Sequence, residues 1–183
     1  MTHTQTFRLA CIQTPIGGML IATDDQERLR VLDWDDYRPR MERLLQRYYR
    51  GGAVLQDGAA PSSVADPLKA YFDGDVRAID AIPIEAAGTG FQRAVWAALR
   101  LIPAGQTWTY SDLARQIGKP AAVRAVGLAN GANPIGVVAP CHRVIGAGGA
   151  LTGYAGGLER KRWLLRHEGV MLHRETGELS RRD

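Results

Sequence analysis

TYSDLARQIGKPAAVRAVGLAN, residues 109–130, decides how the second half of this chain folds. Thr109 is a helix N-cap, with Asp112 three residues on. Leu113, Ala114 and Ile117 give that helix its apolar side, and Gly118 supplies a left-handed position to end it. Pro120 then fits the start of a second helix, Ala121 to Asn130. Two short helices joined in this way form a helix-turn-helix pattern. The second helix is rich in small residues, Ala121, Ala122, Ala125, Gly127 and Ala129, and its one charged residue is Arg124. A slim helix either approaches a nucleic-acid backbone closely or packs tightly on a neighbouring helix. Opposite faces allow both.

Towards the N-terminus, Phe91–Ile102 places Phe91, Val95, Ala98, Leu99 and Ile102 on one helical face, and Pro103 closes it. Glu85–Gly90 (EAAGTG) has the composition of a linker. The region before it reads as a small α/β unit. Phe7–Ile12, Met19–Thr23 and Leu29–Leu32 are short strands separated by Pro15-Ile16-Gly17-Gly18 and Asp24-Asp25. Pro39–Arg50 has helical spacing and stops at Gly51-Gly52, Pro67–Phe72 is a second short helix, and Val76–Ile84 is a further extended segment. Nothing in this unit points to catalysis.

Towards the C-terminus the chemistry appears. Ile135–Ala139 is short and apolar and reads as a buried extended segment, followed by Pro140-Cys141-His142-Arg143-Val144-Ile145. Pro140 restricts Ala139 and fixes the approach to Cys141. A thiolate is the reactive form of cysteine, and a histidine lowers its pKa. On a strand, neighbours face opposite ways, so His142 either sits past a bend or acts through a water. The competing reading is an inert buried cysteine. Gly146, Gly148, Gly149, Gly153, Gly156 and Gly157 then offer bare backbone amides suited to a planar polar ring. A phosphate loop is excluded because no Lys-Ser/Thr ending follows. The last helix, Leu158–Glu168, ends at Gly169. Glu168 sits where the helix dipole disfavours an acid. It either holds a histidine or is a solvated acid paired with Lys161 or Arg162.

The 183 residues, 45% of them hydrophobic, suffice for one core or two small ones. No apolar run reaches membrane-spanning length, and the N-terminus lacks the pattern of a secretory signal. Cys11 and Cys141 are too few for a disulfide framework or a zinc site, so two reduced thiols in the cytoplasm are expected, with no metal. Charge is uneven. Residues 1–87 carry 10 basic and 13 acidic side chains, and residues 88–183 carry 13 basic and 6 acidic ones. That asymmetry suits a polyanion meeting the second half.

PCHRV at 140–144, GYAGG at 153–157 and KRWLLRHEG at 161–169 together resemble the signature of the O6-alkylguanine-DNA alkyltransferases. The likeness runs from about Gly88 to Val170, with a weaker one across the first half. Related alkyltransferase-like proteins carry tryptophan in place of the cysteine, and here the cysteine is present. The resemblance implies an α+β fold, with a ribonuclease H-like domain at 1–87, a DNA-binding and alkyl-acceptor domain at 88–172 and a polar tail at 173–183. It implies that Cys141 is the alkyl acceptor, His142 its base through a water and Glu168 the carboxylate orienting His142. Asn133 would pin the turn, and Tyr110 would give a proton to the leaving guanine. Arg124 would fill the gap left by a flipped nucleotide, with Ala121, Ala125, Gly127 and Ala129 on the DNA side. Val144, Tyr154, Ala155 and Gly136 would line the base pocket. The partner implied is double-stranded DNA carrying O6-alkylguanine, met by a monomer without cofactor or membrane. Some relatives bind zinc in the N-terminal half, but Cys11 has no such companions. Others have proline at the place of Gly136 and serine at that of Ala155. Two rival readings are a damage-binding module without chemistry and a cysteine hydrolase with a Cys-His-Glu triad.

Overall fold

The computed structural model describes residues 4–172, so the polar tail lies outside the described residues. The described part divides into two compact units, residues 4–89 with 134–138, and residues 90–133 with 139–172.

The first unit is built on a four-stranded sheet. Strands β1 (Gln5–Thr14), β2 (Gly17–Thr23) and β3 (Leu29–Trp34) form an antiparallel meander. A helix, α1 (Arg38–Tyr48), then leads to β4 (Ala53–Asp57), which lies parallel to β1 and completes the order β3-β2-β1-β4. A parallel neighbour needs a crossover, and α1 supplies it. Alternation along β1 sends Phe7 and Leu9 inward, where they pack with Leu20, Ala22, Val31, Met41, Leu45 and Tyr49. α2 (Ser62–Phe72) buries Val64, Leu68 and Tyr71 and contacts β1.

Three details differ from the sequence reading. β4 has no counterpart in it. α2 begins at Ser62, so Pro67 lies inside the helix and not at its start. Val76–Ile84 is not a strand: it holds a 3-10 turn, Ala78–Ala81, and only Ile84 bridges to the sheet, beside Leu29. Ile79 and Ile82 are both buried three residues apart, which is the repeat of a 3-10 turn.

The second unit is mostly helical. α3 (Gly90–Leu99) buries Val95, Trp96, Ala98 and Leu99. A two-residue strand, β5 (Trp108–Thr109), runs into α4 (Tyr110–Gln116), and a turn leads to α5 (Val123–Gly131). β6 (Val144–Ile145) pairs in parallel with β5, and α6 (Leu158–His167) closes the unit. The indole of Trp96 donates to the carbonyl of Ala129 over 2.8 Å, tying α3 to α5. Among the described residues no helix is long and apolar enough to cross a membrane.

Candidate active site and nucleic-acid interface

Tyr110 is placed by the cap of its own helix. The Thr109 hydroxyl accepts from the Asp112 amide at 3.1 Å, and Asp112 accepts from the Thr109 amide at 2.8 Å. The hydrogen bonds from the side chain and backbone of Thr109 hold the Asp112 carboxyl below its ordinary pKa. Gly118, at φ +70, ends α4 as expected. The next helix starts later than its sequence suggested. The Ala122 amide donates to Lys119 over 2.9 Å, closing a turn with Pro120 and Ala121 at its corners, and α5 begins only at Val123. Ala121 is therefore an exposed turn residue, not a helical one.

The faces of α5 also separate. Val126, Ala129 and Asn130 are buried, whereas Arg124, Ala125 and Leu128 are exposed. Ala129 thus lies on the core side, away from the face expected to meet DNA. Gly127 is half-buried, and a Cβ there would sit 3.8 Å from the ring of Tyr110. Arg124 makes no ion pair with any described residue.

After α5, Asn133 is buried, and its Nδ2 donates to the carbonyl of Ala139 over 2.7 Å. That bond clasps the two ends of Pro134–Val138, a segment belonging to the first unit, where Ile135 bridges to Leu32. The segment is buried as expected but not extended. Val138 donates to the carbonyl of Gly136 over 2.8 Å across Val137, whose φ is +68. This is a γ-turn centred on a β-branched residue, a sparsely populated conformation. Gly136, expected at the pocket mouth, is half-buried in this turn.

The reactive turn follows. Cys141 donates its amide to Ala139 at 2.8 Å across Pro140 (φ −78, ψ 69), an inverse γ-turn that the proline ring favours. Cys141–Arg143 then form one 3-10 turn, with the Arg143 amide on the Pro140 carbonyl at 3.0 Å. Three residues complete a 3-10 turn, so the side chains of Cys141, His142 and Arg143 leave in three directions. His142 thus sits within a bend and not on a strand. The cysteine is 7% exposed.

His142 Nε2 lies 2.8 Å from Glu168 Oε1. Arg143 grips the same carboxylate twice, Nε on Oε2 at 2.8 Å and Nη2 on Oε1 at 2.9 Å, and its Nη1 donates to the carbonyl of Ile102 at 2.6 Å. Burial would raise the pKa of Glu168, but His142 and Arg143 together outweigh it and hold the carboxyl far below its usual range. Burial is also the largest influence on His142 and lowers its pKa. Glu168 works against that shift, and the charges of Arg143 and Lys161 reinforce it. The histidine is then neutral near pH 7, donates through Nε2 to the carboxylate and keeps Nδ1 as an acceptor. Nδ1 is buried and makes no hydrogen bond with the described residues. That leaves a base whose free lone pair is fixed in direction. Glu168 is therefore not the solvated acid of the alternative reading, and neither Lys161 nor Arg162 is its partner.

Lys161 is fully buried in α6 and donates to three carbonyls, Val144 at 2.6 Å, Thr152 at 3.0 Å and Gly153 at 3.3 Å. It fastens the glycine-rich loop carrying Tyr154 and Ala155, both half-buried, to the strand that follows the reactive turn. Burial lowers its pKa to about 8, and the charge that Cys141 carries when ionised offsets part of that shift. Sequence reasoning gave Arg143 and Lys161 no role of their own in the site. Their signal was a charge set among apolar residues, which by itself reads equally well as a surface charge. Cys141, His142, Arg143, Val144, Lys161 and Glu168 thus gather in the second unit, while Gly136 belongs to the first. Among the described residues no three His, Cys, Asp or Glu side chains form a group that could hold a metal ion.

Such an arrangement has the parts that a cysteine nucleophile with a charge-anchored histidine base requires. Known proteins resemble the chain along nearly its whole length. Residues 7–86 match the ribonuclease-like domain of 6-O-methylguanine DNA methyltransferase, and residues 90–170 match its DNA binding domain. A methylated-DNA–protein-cysteine methyltransferase of Salmonella typhimurium is 53% identical over 162 residues, covering 88% of this chain and 95% of that one. One from Methanosarcina acetivorans is 41% identical over 160 residues, 87% of this chain and 97% of that one. The crystal structure of Mycobacterium tuberculosis OGT in complex with DNA superposes with a TM-score of 0.70 at 41% identity, covering 89% of this chain and 92% of that one. The chain belongs to the 6-O-methylguanine DNA methyltransferase family.

Proposed function

We propose that this protein repairs DNA by direct reversal. It moves the alkyl group of O6-alkylguanine, and of O4-alkylthymine, in a duplex onto Cys141, once per molecule. The observation that carries this reading is the His142–Glu168 contact of 2.8 Å with Nδ1 left as a free acceptor, one residue from a buried cysteine. His142 takes the thiol proton through one bridging water. The thiolate then attacks the alkyl carbon, forming the S–C bond as the C–O6 bond breaks. The electron pair of that bond leaves with the guanine, whose ring nitrogen takes a proton from the Tyr110 hydroxyl. The proton held by His142 restores the Tyr110 hydroxyl through solvent, so charge balances. A base inside a duplex cannot meet a buried thiolate, so the nucleotide must leave the stack. Arg124, exposed and without an ion pair among the described residues, fills the gap it leaves, with Ala125 and Gly127 letting the helix come close. Tyr154, Ala155 and Val144 surround the flipped base, and Asn133 keeps the reactive turn in shape. The protein acts as a monomer in the cytoplasm, where its two thiols stay reduced.

A thioether is stable, and nothing in this scheme regenerates the thiol. Incubation with excess O6-methylguanine duplex should give a burst equal to the protein concentration and then stop. Peptide mass mapping should place one added methyl on Cys141. Steady turnover would favour the cysteine hydrolase, and binding with no mass change would favour the damage-binding module.

A further inference from the structure

The exposed face of α5 carries a residue that neither the fold nor the chemistry above uses. Leu128 is 71% exposed, in a helix that already buries Val126 and Ala129. It lies one turn after Arg124, at the i+4 position, and three residues after Ala125, so all three share one stripe. Gly131, also exposed, continues that stripe one turn further. With only small residues on either side, the leucine stands out from the helix. Nothing acidic occurs in α5, Arg124 is its one charge, and residues 88–183 hold 13 basic against 6 acidic side chains. A protruding apolar group beside a lone cation, on a basic background, matches the surface of a nucleic-acid groove. There the arginine reaches from the groove floor into the gap of the flipped nucleotide, and deoxyribose and base edges meet the leucine.

We infer that Leu128 makes an apolar contact with the sugar and base edges of duplex DNA and positions α5 in the groove for Arg124. The inference rests on the DNA-repair reading above. It has a signature that a charge contact lacks. Phosphate contacts release counterions and so set the slope of log affinity against log salt, whereas an apolar contact adds affinity without changing that slope.

The test is fluorescence anisotropy with a short unmodified duplex across a salt series, using wild type, Leu128→Ala, Leu128→Met and Arg124→Ala. Leu128→Ala should weaken binding about fivefold to tenfold at every salt concentration, as loss of a partly buried leucine side chain predicts. Its slope should equal that of wild type, its melting temperature should not move, and Leu128→Met should restore affinity. Arg124→Ala should flatten the slope by about 0.9 if that side chain neutralises a phosphate. A Leu128→Ala protein that binds as wild type overturns the contact. So does one whose sedimentation shows a lost self-association and unchanged DNA affinity, because the leucine then belongs to a protein interface. Wild-type protein that binds no duplex at all overturns the repair reading itself, and is told apart by that absence.

Discussion

The two units bury polar groups in opposite ways. Among the described residues the first buries Thr23 and Asp33, whereas the second buries Asn130, Asn133, His142, Arg143, Lys161 and Glu168. Asp33 meets Arg40 at 2.6 Å and the Trp34 amide at 2.9 Å. Burial still dominates and raises its pKa, with Arg40 only reducing the shift. Glu168, equally buried, is held on the ionised side by His142 and by a guanidinium that cannot lose its proton. One buried acid drifts towards neutrality and the other is kept charged at the cost of burying a second charge. Keeping an isolated charge inside a protein is expensive, so a unit that gathers several is organised around their chemistry.

The sharpest way to break this contrast is to remove each guanidinium. Arg143→Met strands the Glu168 carboxylate and should destabilise the protein by about 3–5 kcal/mol, the usual cost of breaking a buried pair. Arg40→Met should cost less, about 1–3 kcal/mol, because Asp33 can take up a proton when its partner goes. Urea unfolding midpoints measure both. Equal losses would mean that the two acids are held alike.

Lys161 sharpens the contrast through pH. Its folded pKa of about 8 lies below the ordinary 10.5. Between those values the unfolded chain holds a proton that the folded chain has shed, so raising the pH through this window favours the fold. The group should contribute a rise of at most about 3.5 kcal/mol, at about 1.4 kcal/mol for each pH unit of that window. Lys161→Met should remove that rise from the pH dependence of the urea midpoint, whatever its effect at neutral pH. An unchanged pH dependence would show that the lysine is not the group responsible.

A smaller effect is expected from Glu168→Gln, which keeps the shape and removes the charge. Transfer to Cys141 at pH 7 should slow by about tenfold to hundredfold, less than the loss of the base itself. In wild type, burial holds His142 neutral, so the rate should stay level as the pH falls through 6.5 and drop only below it. His142 also contributes stability that is present above its ordinary value and lost as the pH falls through the folded one. Without the carboxylate that favours the imidazolium, the acid limb should move to still lower pH. A variant with the wild-type rate and profile would leave Glu168 a purely structural acid.

Much of this was legible in the sequence. The meander β1–β3 alternates clearly, and its turns carry Pro-Ile-Gly-Gly and Asp-Asp. The cap of α4 is written in Thr109 and Asp112. Cys141, His142 and Glu168 came with their motifs, and Asn133 bonds at the turn where the resemblance puts it. β4 escaped because AVLQD is short, half polar and at a sheet edge, where alternation is weak. Ile135–Ala139 misled because burial makes a tight turn as apolar as a strand, and only backbone angles separate them. Ala129 misled for a related reason, since a small residue carries no mark of the face it occupies. Arg143 and Lys161 were hidden by the opposite ambiguity: a lysine or arginine code letter is the same at the surface and in the core.

The clasp of Asn133 on Ala139 bears on how such genes can be recombined. Five residues, 134–138, are set in the second half of the chain but are built into the first unit. A fragment stopped at residue 89 would keep its sheet yet lose the neighbour of Leu32 at Ile135, leaving that edge open. A fragment begun at residue 90 would carry a hydrophobic loop with its usual cover missing. Chimaeras between relatives, if cut at the obvious linker, would therefore join halves that had never been matched at this loop. A sound graft would carry 134–138 over from the parent that donates the sheet.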